Sequence, residues 1–285
     1  MKATQQTTYR MLNTRLGDMS LQLEKLRSMG ASGKKLTVAS DDPTAVRPVL
    51  NTRKQLSNVD RYLETLGRAA DTMGAADTQL GQVENIMQRA KEIMTNAING
   101  SLNNEDRTVL ADELANLRKE LLDTANGMVD GKYLFAGYQE DTVPFVVNPT
   151  YDPLLYNAND SSTWPYLYQG DENATSLEIN TGELIQVNLT GNDLFFGTTS
   201  WDPTTPTNNA TQAGRYDLFH ELTQAEEAIR TNNQADMQTS LGDLEGAAEQ
   251  NRRLRSQLGN RASRVDSAMD HQEGVRVDLK QILSR

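Results

Sequence analysis

At 285 residues, with 37% apolar and 6% aromatic content, the chain is long enough for two or three modest domains but too poor in core-forming residues for one large globular core. It contains no cysteine, which excludes a disulfide framework, a thiolate metal site and a cysteine nucleophile. The formal net charge of −11 is concentrated, since residues 138–213 hold ten of the 39 acidic residues and no Lys or Arg; it disfavours nucleic acid as a partner because like charges repel.

Residues 1–8 lack the apolar core of a secretory signal, and no run of about 18 apolar residues occurs anywhere. No membrane partner is expected, and any export proceeds without a cleaved signal peptide. Tyr9, Leu12, Leu16, Met19, Leu23 and Leu26 alternate at spacings of three and four, which draws a narrow apolar stripe down one side of a helix over about residues 4 to 28. Gly30 and Gly33 end it. After a loop containing Leu36 and Val38, Ser40-Asp41-Asp42-Pro43 supplies oxygen acceptors for free helix amides and a proline suited to a first turn. A helix of about 55 residues follows to Asn99-Gly100, with a near-3.5 apolar period from Val49 to Ile98. Pro48 removes one of its hydrogen bonds and predicts a kink or a late start. Gly67, Gly74 and Gly81 recur every seven residues beside the stripe.

Asn103 or Asn104 caps a third helix carrying Leu110, Leu114, Leu117, Leu121, Ala125 and Met128, ending at Asp130-Gly131, and the short turn before it makes the pair antiparallel. Beyond Tyr138 the composition changes, with six of the eight prolines and ten of the sixteen aromatics falling before Ala213. Residues 176–180 and 183–190 read as two alternating strands around Thr181-Gly182, and residues 143–147 as an edge strand, because Pro144 cannot donate to a ladder. Helix resumes from Arg215 and breaks near Asn232-Asn233. It then carries a second stripe on the same lattice: Leu244, Ala248, Asn251, Leu258, Ala262, Val265, Met269, Gln272, Leu279 and Leu283, interrupted by Arg255 and Arg276.

The fold expected is mainly α: an elongated antiparallel helical bundle or coiled coil from both chain ends with a small β-rich insert. Its parts are an N-terminal assembly helix and loop (1–42), a helical stalk (43–137 and 214–243), an exposed acidic insert (138–213) and a C-terminal assembly helix (244–285). Catalytic chemistry has no foothold. His220 and His271 are far apart and read as surface or stripe histidines. Gly33-Lys34-Lys35 lacks the upstream glycine and following hydroxyl of a phosphate loop, and Asp171-Glu172-Asn173 and Asn192-Asp193 lack calcium-loop spacing. No enzyme activity, cofactor or metal is expected.

Gly33-Lys34-Lys35-Leu36, Ser40-Asp41-Asp42-Pro43, Glu105-Asp106-Arg107 leading into residues 114–122, and Tyr133-Leu134-Phe135-Ala136-Gly137-Tyr138 resemble the bacterial flagellin-like axial proteins, over about residues 1–140 and 215–285. The aromatic run is most similar to members at the hook–filament junction, and the ending Ile282-Leu283-Ser284-Arg285 lacks the pattern typical of filament flagellins. The resemblance implies an extracellular subunit of a helical tube in the flagellum, with both termini near the inner wall and the insert outward. Its implied partners are further copies in a ring, hook-associated protein 1 on the hook side, flagellin on the other, and a cytoplasmic export chaperone before export. On this reading Leu12, Leu16, Met19, Leu23 and Leu26 pair with Leu258, Val265, Met269, Leu279 and Leu283 and bundle with neighbouring arms. Filament flagellin and an intracellular coiled-coil scaffold or signalling protein are the alternatives.

Overall fold

Apolar residues three and four apart meet on one face of a helix, and helices account for most of the chain. The computed structural model describes residues 5–33, 43–100, 102–180 and 182–284. Ser40, Asp41, Asp42 and the loop residues Leu36 and Val38 lie outside them. The protein divides into two compact units, residues 1–60 with 275–285, and residues 61–274.

The first unit contains α1 (Gln5–Ser32), the start of α2 (Pro43–Asn99) and the end of α6 (Gln234–Ser284). At the end of α1, Gly33 turns left-handed at φ +63 and its amide donates to Met29 O at 2.9 Å, which satisfies a terminal carbonyl without a Cβ penalty. The expected late start at Pro48 does not occur. Helix α2 begins at Pro43 and runs through Pro48; the proline is exposed, and the Thr52 hydroxyl donates to its carbonyl at 3.0 Å.

In the second unit, α2 and α6 run antiparallel. Asn251 Nδ2 donates to Leu80 O at 2.9 Å, and Arg255 reaches Asp77 at 2.8 and 3.0 Å and Glu84 at 3.0 Å. Leu66, Met73, Leu258 and Val265 are all buried in the same core cluster. Helix α3 (Asn104–Ala125) starts where Asn103 accepts from Asp106 N. It lies antiparallel to α5 (Leu218–Arg230), joined by Arg118–Glu226 at 2.8 Å and Arg230–Asp112 at 2.6 Å.

Asp130-Gly131 does not end α3. The helix stops at Ala125, and strands β1 (Met128–Val129) and β2 (Lys132–Tyr133) pair around Asp130 and Gly131, both at positive φ (51 and 79). This is the double left-handed turn that Asp-Gly adopts between two strands. The expected edge strand is β3 (Phe145–Val147), and its antiparallel partner β4 (Tyr166–Tyr168) was not anticipated. Strands β5 (Ser176–Asn180) and β6 (Glu183–Gln186) form the expected hairpin. The second strand ends short of Thr190 because the Asn188 side chain takes the Thr175 amide at 2.8 Å. The short helix α4 (Gly191–Phe195) completes an aromatic core in which the Phe145 ring lies 5.0 Å from Phe195, 5.4 Å from Phe196 and 5.5 Å from Phe219. The segment expected to be an exposed insert is thus anchored on α5 by a buried ring cluster.

Candidate assembly surfaces

Helix α1 covers almost none of its apolar stripe. Leu12, Leu16, Met19, Leu23 and Leu26 are 53–66% exposed, and Tyr9, Met11 and Leu21 are exposed beside them. Leu16, Met19, Leu23 and Arg27 line one shallow groove along the helix. A helix that packs no face has little beyond intrinsic propensity to hold it in water, and an exposed apolar stripe of this length is a candidate contact surface.

The second stripe stands differently. Leu258 and Val265 are buried in the core of the second unit and Met269 is half-buried there. In the first unit Leu279 is buried and Leu283 half-buried, while Val277 and Ile282 point outward. Arg255, which breaks the stripe in sequence, lays its guanidinium across Gly81, where a Cβ would stand 3.6 Å from it. That bridge to Asp77 and Glu84 raises the Arg255 pKa, chiefly through the hydrogen bond to Asp77, and lowers that of Asp77 for the same reason.

The run Tyr133 to Tyr138 ties α3 to the insert. Phe135 and Ala136 are fully buried. Phe135 O accepts from the Tyr168 hydroxyl at 2.7 Å and from Gly191 N at 2.9 Å. Gly137 sits at φ +70, and a Cβ there would meet Asp171 Oδ1 at 2.2 Å, so only glycine is accommodated. The exposed Tyr138 donates its amide to Asp171 Oδ1 at 3.0 Å and its hydroxyl to Ala174 O at 3.2 Å. Asp171 is the residue this motif needs, a role that its place in Asp171-Glu172-Asn173 did not reveal.

Nine of the ten acidic side chains of the insert have definite work. Asp152, Asp160, Asp171 and Asp202 accept from the amide two residues on, while Glu172 and Glu178 accept from Trp201 N and Gly182 N. Glu140, Glu183 and Asp193 pair with Lys132, Arg264 and Arg215, outside the insert. Three further carboxyls lie where the insert meets the helices. Asp217, 1% exposed, caps α5 through Oδ1, with Phe219 N at 3.0 Å and His220 N at 3.1 Å, and its Oδ2 has no partner. Burial pushes Asp217 up to about 7 and, reinforced by Asp243 and Asp217, Glu221 up to about 8; Asp243 on α6 is raised by burial as well. Beside them the His220 ring stacks on Tyr156 at 3.4 Å, and burial lowers its pKa to about 4. Among the described residues no three His, Asp or Glu side chains are grouped to hold a metal, and no helix is long and apolar enough to cross a membrane.

Residues 3–140 match the family model of the bacterial flagellin N-terminal helical region. The flagellar hook-associated protein 3 of Escherichia coli (strain K12) is 29% identical over 168 residues, 58% of this chain and 46% of that protein. That of Salmonella typhimurium is 25% identical over 201 residues, covering 70% and 58%. The chain thus spans about half the length of the curated relatives it matches. A flagellar hook-associated protein from Vibrio parahaemolyticus has the same fold at a TM-score of 0.69 and 18% identity, covering 86% of this chain and 99% of that one. So does Xanthomonas campestris FlgL, at 0.63 and 21%, covering 81% and 99%. These matches make the chain similar to the flagellin-like proteins of the bacterial flagellum. Among them, the chain resembles flagellar hook-associated protein 3.

Proposed function

We propose that this chain is a structural subunit of the bacterial flagellum, an adaptor at the hook–filament junction that polymerises through its terminal helices. The observation that carries the reading is the uncovered stripe of α1. Burying one large aliphatic side chain contributes roughly 1.5–3 kcal/mol, so five of them supply a substantial drive for helix pairing once a neighbour arrives. Leu12, Leu16, Met19, Leu23 and Leu26 are the residues to be covered; at the chain end Leu279 is already buried and the half-buried Leu283 has only part of its surface left to cover. Leu258, Val265 and Met269 hold the second stripe in place from within the body. The stalk segments, 43–137 and 214–243, set the subunit spacing, and residues 138–213 face outward.

On this reading the neighbours are further copies in a ring, hook-associated protein 1 and flagellin, and a cytoplasmic chaperone holds the chain before it leaves the cell without a cleaved signal peptide. The subunit acts by assembly and carries out no reaction. Filament flagellin is the competing reading, favoured by the match of residues 3–140 to a flagellin region. Gold-label electron microscopy with an antibody against residues 138–213 separates the two. A single spot where hook meets filament supports the junction role, label along the filament replaces it with the flagellin role, and label confined to permeabilised cells overturns both.

A further inference from the structure

Of the ten methionines of this chain, the nine among the described residues divide sharply by environment. Met73, Met87, Met94 and Met237 are buried, whereas Met11, Met19 and Met128 are exposed; Met29 and Met269 are half-buried. Among the described residues, two of the three exposed thioethers stand on α1, and Met19 lies between Leu16 and Leu23 in the middle of its apolar stripe. With no cysteine in the chain, methionine is its only sulfur and the softest nucleophile it offers to an oxidant.

We propose that Met11 and Met19 form an oxidation-sensitive check on the assembly surface: a two-electron oxygen-atom donor converts them to sulfoxides in the free subunit, and the oxidised subunit is refused by the growing structure. The inference rests on the junction reading above. In the step itself the methionine Sδ attacks the distal oxygen of a peroxide, the O–O bond breaks and an S–O bond forms. The sulfur loses two electrons and the peroxide leaves as water. The product is a strongly dipolar group where an apolar one stood. An exposed position on α1 tolerates it, since water solvates the new oxygen. A helix–helix seam does not, because closing it over the Leu16–Leu23 face strips that water, and the leucines that flank Met19 there cannot donate to the new oxygen. The chemistry is therefore silent in the monomer's own fold and is read out only on assembly. Once neighbours cover the stripe, the same thioethers are shielded, so only unassembled subunits are vulnerable. The reaction is reversible by methionine sulfoxide reductases, and a refused subunit is recoverable.

The test treats the purified full chain with hydrogen peroxide, quenches with catalase, maps added oxygen by peptide mass spectrometry and measures incorporation onto hook ends. Met11 and Met19 should gain oxygen well before Met73, Met87 and Met94, and incorporation should fall at least tenfold with the far-ultraviolet circular dichroism unchanged. Reductase treatment should restore it. The Met11→Leu/Met19→Leu variant, which conserves volume and apolar character, should incorporate equally before and after peroxide. Full incorporation of a chain oxidised at both positions overturns the proposal, as does an equal loss by the double variant. Failure of the untreated chain to incorporate at all removes the junction reading, and this inference with it.

Discussion

Asn126 completes the edge of strand β3 in place of a missing neighbour: its side-chain amide donates to Phe145 O at 2.9 Å and its carbonyl accepts from Phe145 N at 2.9 Å. A single side chain at the C-cap of α3 thereby fixes the strand that seats Phe145 at the centre of the aromatic core. Replacing Asn126 by Ala leaves both backbone groups unpaired. We expect a loss of about 2–6 kcal/mol, at ~1–3 kcal/mol for each of the two unsatisfied groups, read as a lower urea midpoint by fluorescence of the buried Trp164 and Trp201. An unchanged midpoint refutes the bridging role.

The carboxyls of Asp217 and Glu221 make stability fall as pH rises. In the unfolded chain they titrate near 3.8 and 4.5, and in the folded one near 7 and 8, so the folded state binds more protons throughout that interval. Their contribution is complete below pH 4 and is lost progressively up to about pH 8, at no more than ~1.4 kcal/mol per pH unit per group. His220 acts in the opposite sense: its folded pKa of about 4 lies below 6.5, so it costs stability as pH falls from 6.5 towards 4. The two effects oppose each other below pH 6.5, and above it the carboxyls act alone. Urea titrations at pH 6.5 and 8.5 should therefore show a drop that Asp217→Asn and Glu221→Gln together flatten. Asn preserves the cap, so a drop that persists in this variant places its origin elsewhere.

Glycines that look equivalent in the sequence should respond with opposite signs to alanine. At Gly67 and Gly74 a Cβ meets nothing within 4 Å, and Ala should raise stability by up to ~1 kcal/mol through helix propensity. At Gly246 a Cβ would stand 2.3 Å from the Tyr216 ring, so overpacking of about 1–3 kcal/mol should outweigh that gain. Thermal melts of the three variants decide the matter, and a stabilised Gly246→Ala is the outcome that contradicts the packing.

Asn251 is fully buried on the α6 stripe and bonded to Leu80 O, yet its Oδ1 has no partner. A polar residue at one buried seam position fixes register at a cost in stability. Asn251→Leu should raise the melting temperature, by roughly 1 kcal/mol equivalent if the orphaned oxygen is the main cost. A melting temperature lowered by several degrees shows instead that the bond to Leu80 outweighs it.

Charges placed on the two stripes should part assembly from folding. Leu23→Asp on exposed α1 should leave the unfolding midpoint within about 0.5 kcal/mol of wild type and abolish incorporation at the junction. Val265→Asp buries an unpaired charge in the monomer's own core and should unfold the body, at a cost of several kcal/mol. Normal incorporation of Leu23→Asp removes α1 from the assembly surface.

The helices were legible because a spacing of three and four needs only local geometry, as at Leu12 to Leu26, and because Asn103 and Pro43 announce their own starts. The partner strand β4 was not, since Tyr166-Leu167-Tyr168 is too short for alternation to register and follows Pro165. Asp130-Gly131 was ambiguous between a helix stop and a strand turn, and only the pairing of Val129 with Lys132 decides between them. Arg255 read as a flaw in the second stripe until its partners Asp77 and Glu84, 178 and 171 residues away in sequence, were brought beside it. At the surfaces, spacing identified both stripes but not which of them the chain covers for itself, because coverage depends on tertiary neighbours of Leu258 and Val265 that no local pattern encodes.

The turns of the insert use their aspartates as oxygen acceptors, and Asn148 and Asn157 do the same job without a charge, accepting from Thr150 N at 3.1 Å and Asn159 N at 3.0 Å. Asp152, Asp160, Asp171 and Asp202 are thus interchangeable with asparagine as far as backbone geometry is concerned. Four negative charges can come or go by single amide-for-acid exchanges while every turn keeps its shape. The electrostatic character of this segment is therefore free to drift without disturbing the backbone geometry of its turns.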